Sequence, residues 1–480
     1  MKRREFLHTA ARLGLFAGIA GRPMQAVAAE RGRTIRGRVT GGDRPLGGVL
    51  VSDGRRVVRT GADGRYELPV GPGSGRFVFV TTPRGFWTER FYLPLADATR
   101  TARADFQLDP IDQPDRFDFV FIADMHLERR EFGVPKLKAS LEEINGREPT
   151  PAFLWAQGDI CLQGGMGKEY VDCLAVAEMP VRNGAGNHEM MLKHANPRDD
   201  YERLFGPTYY SFDWGPAHCI VLDGNKPIPQ EEGWKAVHGA VEGSEMAWLE
   251  ADLAAQPKGK PILVGVHIPI VSTYPERRQH SPKNAPYWEV TNDRSLTELF
   301  SRHGVRLVLQ GHMHENERIT VGGVEYVESI SISGSWWKAG AGFERGVDGS
   351  PRGYRIVSVD GTRVTHRYQP SGESYVDRQG EFYGLEKPRA PGRETDFVLN
   401  AYDAPNGSTA EARIDGGPWQ PMPAHAMRSP TTPDLTMPHH FRLVADTTGL
   451  EPGEHTIEAR VRWPDGTVVT ERDRFTIGAK

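Results

Sequence analysis

At 480 residues, with 38% hydrophobic and 25% charged side chains, the chain has the composition of an ordinary globular protein, and its length suits two or three domains better than one core. A net charge of −4 without a basic block excludes nucleic acid and anionic membrane surfaces as expected partners. The 54 glycines and 36 prolines favour loops and β-structure over long helices.

The first 29 residues stand apart. Lys2-Arg3-Arg4-Glu5-Phe6-Leu7 is a twin-arginine signature, Ala11–Gly21 is a short and weakly apolar stretch, and Ala26-Val27-Ala28 supplies small residues for a signal peptidase. The apolar stretch falls short of the roughly 20 residues that cross a bilayer. Residues 1–29 are therefore expected to be a twin-arginine signal peptide and the chain to be periplasmic or secreted, with no transmembrane anchor. An amphipathic N-terminal helix or a membrane anchor is the alternative. Removing the segment takes away five Lys/Arg and one Glu and leaves a charge of −8. Cys161, Cys173 and Cys219 are too few and too odd in number for a disulfide framework. They read as small buried apolar residues, which suits a route that exports proteins already folded and loaded with metal.

Thr34–Phe91 alternates short β-rich runs with turns, and Asp63-Gly64 between Val58 and Tyr66 is a hairpin signal. The pattern predicts an N-terminal β-sandwich over residues 30–110. Residues 95–115, polar and carrying Asp109-Pro110 and Gln113-Pro114, read as a linker. From 116 to 370 strands alternate with helix candidates at Leu137–Ile144, Tyr170–Ala177, Glu245–Ala255 and Leu296–Arg302, which predicts a layered α/β domain. A hairpin turning at Asp360-Gly361 closes it. After a second polar stretch, 370–395, the β-pattern returns, with turns at Asp415-Gly416 and Asp465-Gly466. Residues 390–480 are expected to form a C-terminal β-sandwich, and neither flank carries a catalytic cluster.

The middle region carries the chemistry. Five apolar runs each end on a hard or borderline metal ligand: Phe117–Asp124 continues to His126, Ala152–Asp159 ends in Gly158-Asp159, and Pro180–Glu189 ends in Gly186-Asn187-His188-Glu189. Pro261–Pro269 carries His267, and Leu307-Val308-Leu309 leads into Gly311-His312-Met313-His314. Any one of these residues taken alone is a turn or cap residue. Five in order are not explained that way. In open α/β sheets ligands bind beyond the carboxyl ends of the strands, so the endings are expected to share one crevice. Carboxylate, imidazole and amide oxygen without thiolate suit hydrolytic Mn, Fe or Zn. Seven candidates exceed one tetrahedral ion and suit two ions that share a carboxylate and activate water.

The series Asp124-x-His126, Gly158-Asp159, Gly186-Asn187-His188-Glu189, His267, Gly311-His312-x-His314 resembles the five-block signature of the calcineurin-like metallophosphoesterases, over about 190 residues. The flanks, with Ser333-Gly334-Ser335-Trp336-Trp337 and Asp348–Tyr354, are similar to a bacterial subgroup with N- and C-terminal β domains. The resemblance implies a layered αββα core, a β-sandwich flanked by helices, with small all-β domains at both ends. It implies one metal on Asp124, His126, Asp159 and His314 and a second on Asp159, Asn187, His267 and His312, as pairs of Mn, Fe or Zn. His188 would be the acid for the leaving group or a donor to the phosphoryl oxygens, and metal-activated hydroxide the nucleophile. His126 separates the chain from the purple acid phosphatase branch, where a tyrosine supplies a ligand. Many members continue the second block as GDxxD, the later Asp orienting the motif histidine. Here that position is Leu162, which leaves Asp172, Glu189 and Gln163 as candidate partners for His188.

The expected function is hydrolysis of the P–O bond of a small-molecule phosphate ester by an exported dinuclear-metal enzyme. Monoesters, diesters and pyrophosphate links share the same metal box, so the motifs do not separate them. A non-catalytic, metal-bound scaffold or binding protein of the cell envelope is the alternative. Trp336 and Trp337 either plug a gap between domains or form a wall on which a sugar or base stacks. His194, Arg277, Arg278 and His280 lie on loops after ligand-bearing strands and are candidates for phosphate contact, a solvated loop face being the alternative.

Overall fold

The computed structural model describes residues 33–278, 286–337, 344–372 and 378–478; the expected signal peptide and His280 lie outside them. In chain order the core strands are β1 (Arg116–Ala123), β2 (Leu154–Gln157), β3 (Val181–Gly184), β4 (Tyr210–Trp214), β5 (Ala217–Val221), β6 (Ile262–Gly265), β7 (Val305–Gln310), β8 (Glu317–Val321), β9 (Val324–Glu328), β10 (Gly353–Asp360) and β11 (Arg363–Pro370). They form two mixed sheets, ordered β3-β2-β1-β10-β11 and β4-β5-β6-β7-β9-β8. The five ligand-bearing runs thus divide between the two sheets of the expected β-sandwich. β1, β2 and β3 are parallel neighbours in the first, and β6 and β7 in the second.

Aromatic side chains fill the space between the sheets. Trp155 of β2 meets Phe212 of β4 edge to face, with ring centroids 5.8 Å apart, and a Cβ added to Gly265 of β6 would sit 2.4 Å from the Trp155 ring. Only glycine lets the second sheet approach that closely. Helices cover the outside, completing an αββα layering. α1 (Arg130–Asn145) buries Leu137, Leu141 and Ile144 and is tied to β10 by Tyr354 Oη donating to Glu143 Oε1 at 2.9 Å. α2 (Gly167–Leu174) packs on α1. α3 (Gly243–Ala254) touches α4 (Asp293–His303), whose Leu296, Leu299 and Phe300 face β7 and β9.

The N-terminal β region departs from expectation in two places. Asp63-Gly64 makes a turn, with Gly64 at φ 75°, but not a hairpin: Val57–Arg59 pairs with Leu50–Ser52 while Arg65–Val70 pairs with Arg33–Gly41. Alternate burial of Tyr66, Leu68 and Val70 draws that strand onto the other sheet. The expected linker 95–115 holds a helix, Leu95–Thr101, and a strand, Phe106–Pro110, parallel to Arg33–Gly41. Phe106 and Leu108 are buried, and that apolar gain outweighs the polar composition around them. Within the second expected linker, Phe382 is likewise buried in the short strand Glu381–Phe382 against Thr395–Asn400. The C-terminal sandwich closes over Phe397, Leu399, Ile457 and Phe475. Among the described residues no helix is long and apolar enough to cross a membrane.

Candidate metal centre and its crevice

The carboxyl ends of β1, β2, β3, β6 and β7 open on one side, and the chain turns sharply as it leaves them. Asp124 (φ 58°), His126 (44°), Asp159 (55°), His312 (80°) and His314 (59°) all occupy the left-handed region, at a cost of about 1–3 kcal/mol for each such residue. The surroundings hold these turns in place. Asp124 N–H donates to Gly158 O at 3.1 Å and His126 N–H to Asp159 O at 2.8 Å. Buried Glu189 accepts the N–H groups of Asp159 (2.8 Å), Cys161 (3.0 Å) and Gly186 (2.7 Å). Burial, and then the Asp159 charge, pushes the Glu189 carboxyl up to about 7.

The turns gather all seven candidate ligands. Asp159 Oδ2 lies 3.2 Å from His267 Nε2 and 3.4 Å from His126 Nε2; Asp124 Oδ1 lies 3.3 Å from His314 Nε2. His267 Nε2 is 3.2 Å from Asn187 Oδ1. Two sets of donor atoms, Asp124/His126/His314 and Asp159/His267/His312, each fall within 4.8 Å of one another. Every imidazole is fixed from behind: His267 Nδ1 by Gln157 O (3.2 Å), His314 Nδ1 by Gly334 O (2.7 Å), His312 Nε2 by Tyr287 O (2.8 Å) and His126 Nδ1 by Glu128 Oε1 (3.4 Å). A ring nitrogen that donates outward leaves the other as an acceptor facing inward.

That arrangement fits metal ions. His126 Nε2 and His314 Nε2 face each other at 3.0 Å, two lone pairs that repel unless a cation or a shared proton lies between them. Burial, then the charge on His267, pushes the His312 ring down to about 4, which keeps it neutral and able to ligate. Burial alone would raise Asp159, but His267 and His188 hold it well below the usual carboxylate range. Against the opposing effect of burial, Asp159 lifts His267 to about 9. Two buried carboxylates place negative charge among these rings, which a metal cation offsets in place of the proton on His267.

His188 stands at the rim, its side chain one-third exposed, with Nε2 3.9 Å from Asp159 Oδ2. None of the three candidate partners orients its ring. Glu189 is spent on backbone N–H groups, Gln163 donates to Asn187 O and Met190 O, and Asp172 pairs with Lys168. Instead His188 Nδ1 lies 3.5 Å from Cys161 Sγ. Burial pushes that thiol far up, so it stays protonated. A cysteine two residues beyond Asp159 on the same turn was the available signal.

Above the cluster is a crevice of about 320 Å³, lined by Asp159, Asn187, His188, His312 and His314 below and by Arg278, Tyr287, Trp288 and Trp336 around it. Trp336 faces it and Trp337 does not: the Trp337 indole N–H donates to Met125 O at 3.0 Å and the ring is buried. Arg277 turns away to fork onto Glu315 and donates to Thr436 O at 2.8 Å, while Arg278 borders the crevice. His194 is exposed on the loop after β3, outside the lining. Trp288, absent from the sequence-based candidates, lies on the loop that follows β6.

A family model described as calcineurin-like phosphoesterase matches residues 117–316. Models described as its N terminal and C terminal match 33–111 and 325–462, the latter starting inside the second core sheet. Serine/threonine-protein phosphatase CPPED1 of Rattus norvegicus is 24% identical over 243 residues, 48% of this chain and 71% of that protein. Its Homo sapiens counterpart is 25% identical over 245 residues with the same shares. Among solved structures, GAP50 of Plasmodium aligns at TM-score 0.36 with 17% identity, covering 55% of this chain and 87% of that one. Purple acid phosphatase PPD1 of yellow lupin (Lupinus luteus) aligns at 0.34 with 11% identity, covering 90% and 70%.

Proposed function

We propose that this chain, which belongs to the calcineurin-like phosphoesterases and is a metal-dependent phosphoric ester hydrolase, cleaves its ester at two metal ions seated where the five strand ends meet. Asp124, His126, Asp159 and His314 would hold one ion, and Asp159, Asn187, His267 and His312 the other, Asp159 serving both. The observation that carries this reading is the convergence of two buried carboxylates and four inward imidazole nitrogens, each ring pinned from outside. When bound, such ions supply a water nucleophile active at neutral pH and offset charge on the phosphoryl oxygens. Mn, Fe and Zn all suit the donors.

The chain's own residues do the rest. His188, at the rim with Nε2 toward the crevice, is the group placed to give a proton to the departing alkoxide or to hold a phosphoryl oxygen. The Cys161 thiol fixes its other ring nitrogen. Asn187 would contribute its amide oxygen, and the backbone N–H of His188 donates to Asp159 Oδ1 at 3.0 Å, holding that carboxylate in place. The chemistry belongs to a central unit, residues 116–370, between β-sandwich units at 30–110 and 390–480. Residues 1–29 are assigned to twin-arginine export, to be tested by fractionating cells that express the chain with Arg3 and Arg4 both changed to Lys.

The deciding experiment is hydrolysis of mono- and bis-p-nitrophenyl phosphate with added Mn²⁺, in wild type and His188→Ala. Wild type is expected to turn over at least one, and His188→Ala to lose about 10²–10⁴ in kcat with its metal content unchanged. No turnover of either ester by the metal-loaded wild type would leave a metal-bound scaffold as the reading.

A further inference from the structure

We propose that the crevice selects phosphoric esters whose alcohol carries a flat ring system, held between Trp288 and Trp336. The inference rests on the phosphoesterase reading above and adds its substrate class. The two tryptophans divide the ligand cluster between them. Trp336 lies over the first set of donors, its ring 4.2 Å from His314 and tilted by 33°, and 6.0 Å from His126. Trp288 lies over the second, 6.0 Å from His312 and tilted by 43°. The floor takes the phosphoryl charge, so the alcohol must leave between the rings.

Both walls are built in advance. Trp336 sits at φ 57°, a conformation that a bulky side chain adopts only under constraint. The constraint is visible: in the same turn Ser331 Oγ donates to Asp124 O at 2.8 Å, Gly334 O holds His314, and Ser335 Oγ donates to Arg345 O at 2.9 Å. Strain at a site wall points to a function for the side chain it aims. On their outer side Trp288 and Trp336 pack on one apolar cluster with Tyr274, Met313, Val347 and Leu435. The last comes from the C-terminal β region and is fully buried. Its neighbour Asp434 accepts from Arg278 Nε at 2.9 Å, and the Arg278 guanidinium lies 5.1 Å from the Trp288 ring. Walls that need no reorganisation give their full stacking energy to the ligand.

Size sets the other limit. About 320 Å³ is at the small end of ligand pockets, which run from about 300 to 1,000 Å³. It admits a phosphate and one planar group.

The test compares adenosine 5′-monophosphate with ribose 5-phosphate, and the corresponding methyl diesters, on the full metal-loaded chain. Each pair shares a primary alkoxide leaving group and differs only in the ring. The ring-bearing ester is expected to have about ten- to a hundredfold higher kcat/KM. Trp288→Ala and Trp336→Ala should each remove most of that advantage, read as the ratio of kcat/KM between the two esters, while Trp→Phe at either position keeps it. Calorimetry should show adenosine binding wild type and not the double Ala variant. Equal kcat/KM for the two esters, Ala variants that keep the wild-type ratio between them, or faster turnover of a phosphoserine peptide than of adenosine 5′-monophosphate would overturn the proposal. Absence of turnover for every ester would instead refute the phosphoesterase reading beneath it, and this inference with it.

Discussion

Asp159 Oδ2 lies within 3.4 Å of two buried imidazoles, one in each donor set, so on the proposed assignment its loss takes a ligand from both ions. Asp159→Ala is expected to lower metal affinity by more than the roughly 10–100-fold lost when a partner behind the ligands is removed; elemental analysis showing full occupancy would contradict its shared role. Cys161 offers a subtler test. Losing its contact with His188, worth about 0.5–1.5 kcal/mol, should lower kcat by about two- to tenfold in Cys161→Ala with KM unchanged, and Cys161→Ser should restore most of it. Equal kcat in wild type and Cys161→Ala would remove the thiol from the site. The seven candidate ligands were legible in the sequence because each follows an apolar run that could only be a buried strand. Cys161, Trp288 and Glu128 were not. Their relevance depends on which way a left-handed turn swings a side chain, and an isolated cysteine or tryptophan reads as core. Arg277 and Trp337 show the converse, since adjacent positions in one turn point to opposite sides.

At the scale of elements, the site depends on how closely strand ends can approach. Gly158, at φ 75°, closes β2, and an added Cβ would lie 2.5 Å from His267 Nδ1. Gly158→Ala should therefore destabilise the chain by about 1–3 kcal/mol and displace His267 from Gln157 O. A lowered urea midpoint together with reduced bound metal would be seen; an unchanged midpoint with full metal would refute the account. Strand and helix periodicity gave the five ligand-bearing strands, four core helices and the hairpin at Asp360-Gly361, but not β4, β5, β8, β9 or the helix Asp199–Phe205. Pairing was harder to read. Asp63-Gly64 reports a turn correctly but not the partners of the strands beside it, because those are chosen by burial of Tyr66, Leu68 and Val70. Phe106 and Leu108 were hidden by the prolines and charges around them.

Over the whole molecule, the junction between the N-terminal β region and the core, sealed by contacts such as Trp87 with Trp214, encloses a cavity of about 530 Å³ in which two carboxyls are pushed toward the protonated form. Burial, and then the Asp223 charge, raises Glu245 to about 8; burial raises Glu202 to about 7 against the pull of Arg76 and Arg198. Both values lie above the ordinary 4.5, so between pH 4.5 and 8 the folded chain keeps protons that the unfolded chain has released. Stability from these groups is complete below about pH 4.5, falls as pH rises from there by up to about 1.4 kcal/mol per pH unit for each proton, and is lost once pH passes 7 and 8. Urea midpoints measured from pH 6 to 9 are expected to decline in wild type and to decline less in Glu245→Gln; identical slopes would exclude the junction as the cause.

On the stacking proposal, Leu435, packed behind Trp288 and Trp336, gives the C-terminal β region a say in selectivity. A lesion there, 121 residues past His314, should surface as altered discrimination among esters before it surfaces as lost turnover. Relatives that keep every metal ligand but differ in this one loop are free to diverge in what they consume, so exchanging the terminal module between them is a way to redirect the enzyme without touching its reactive heart.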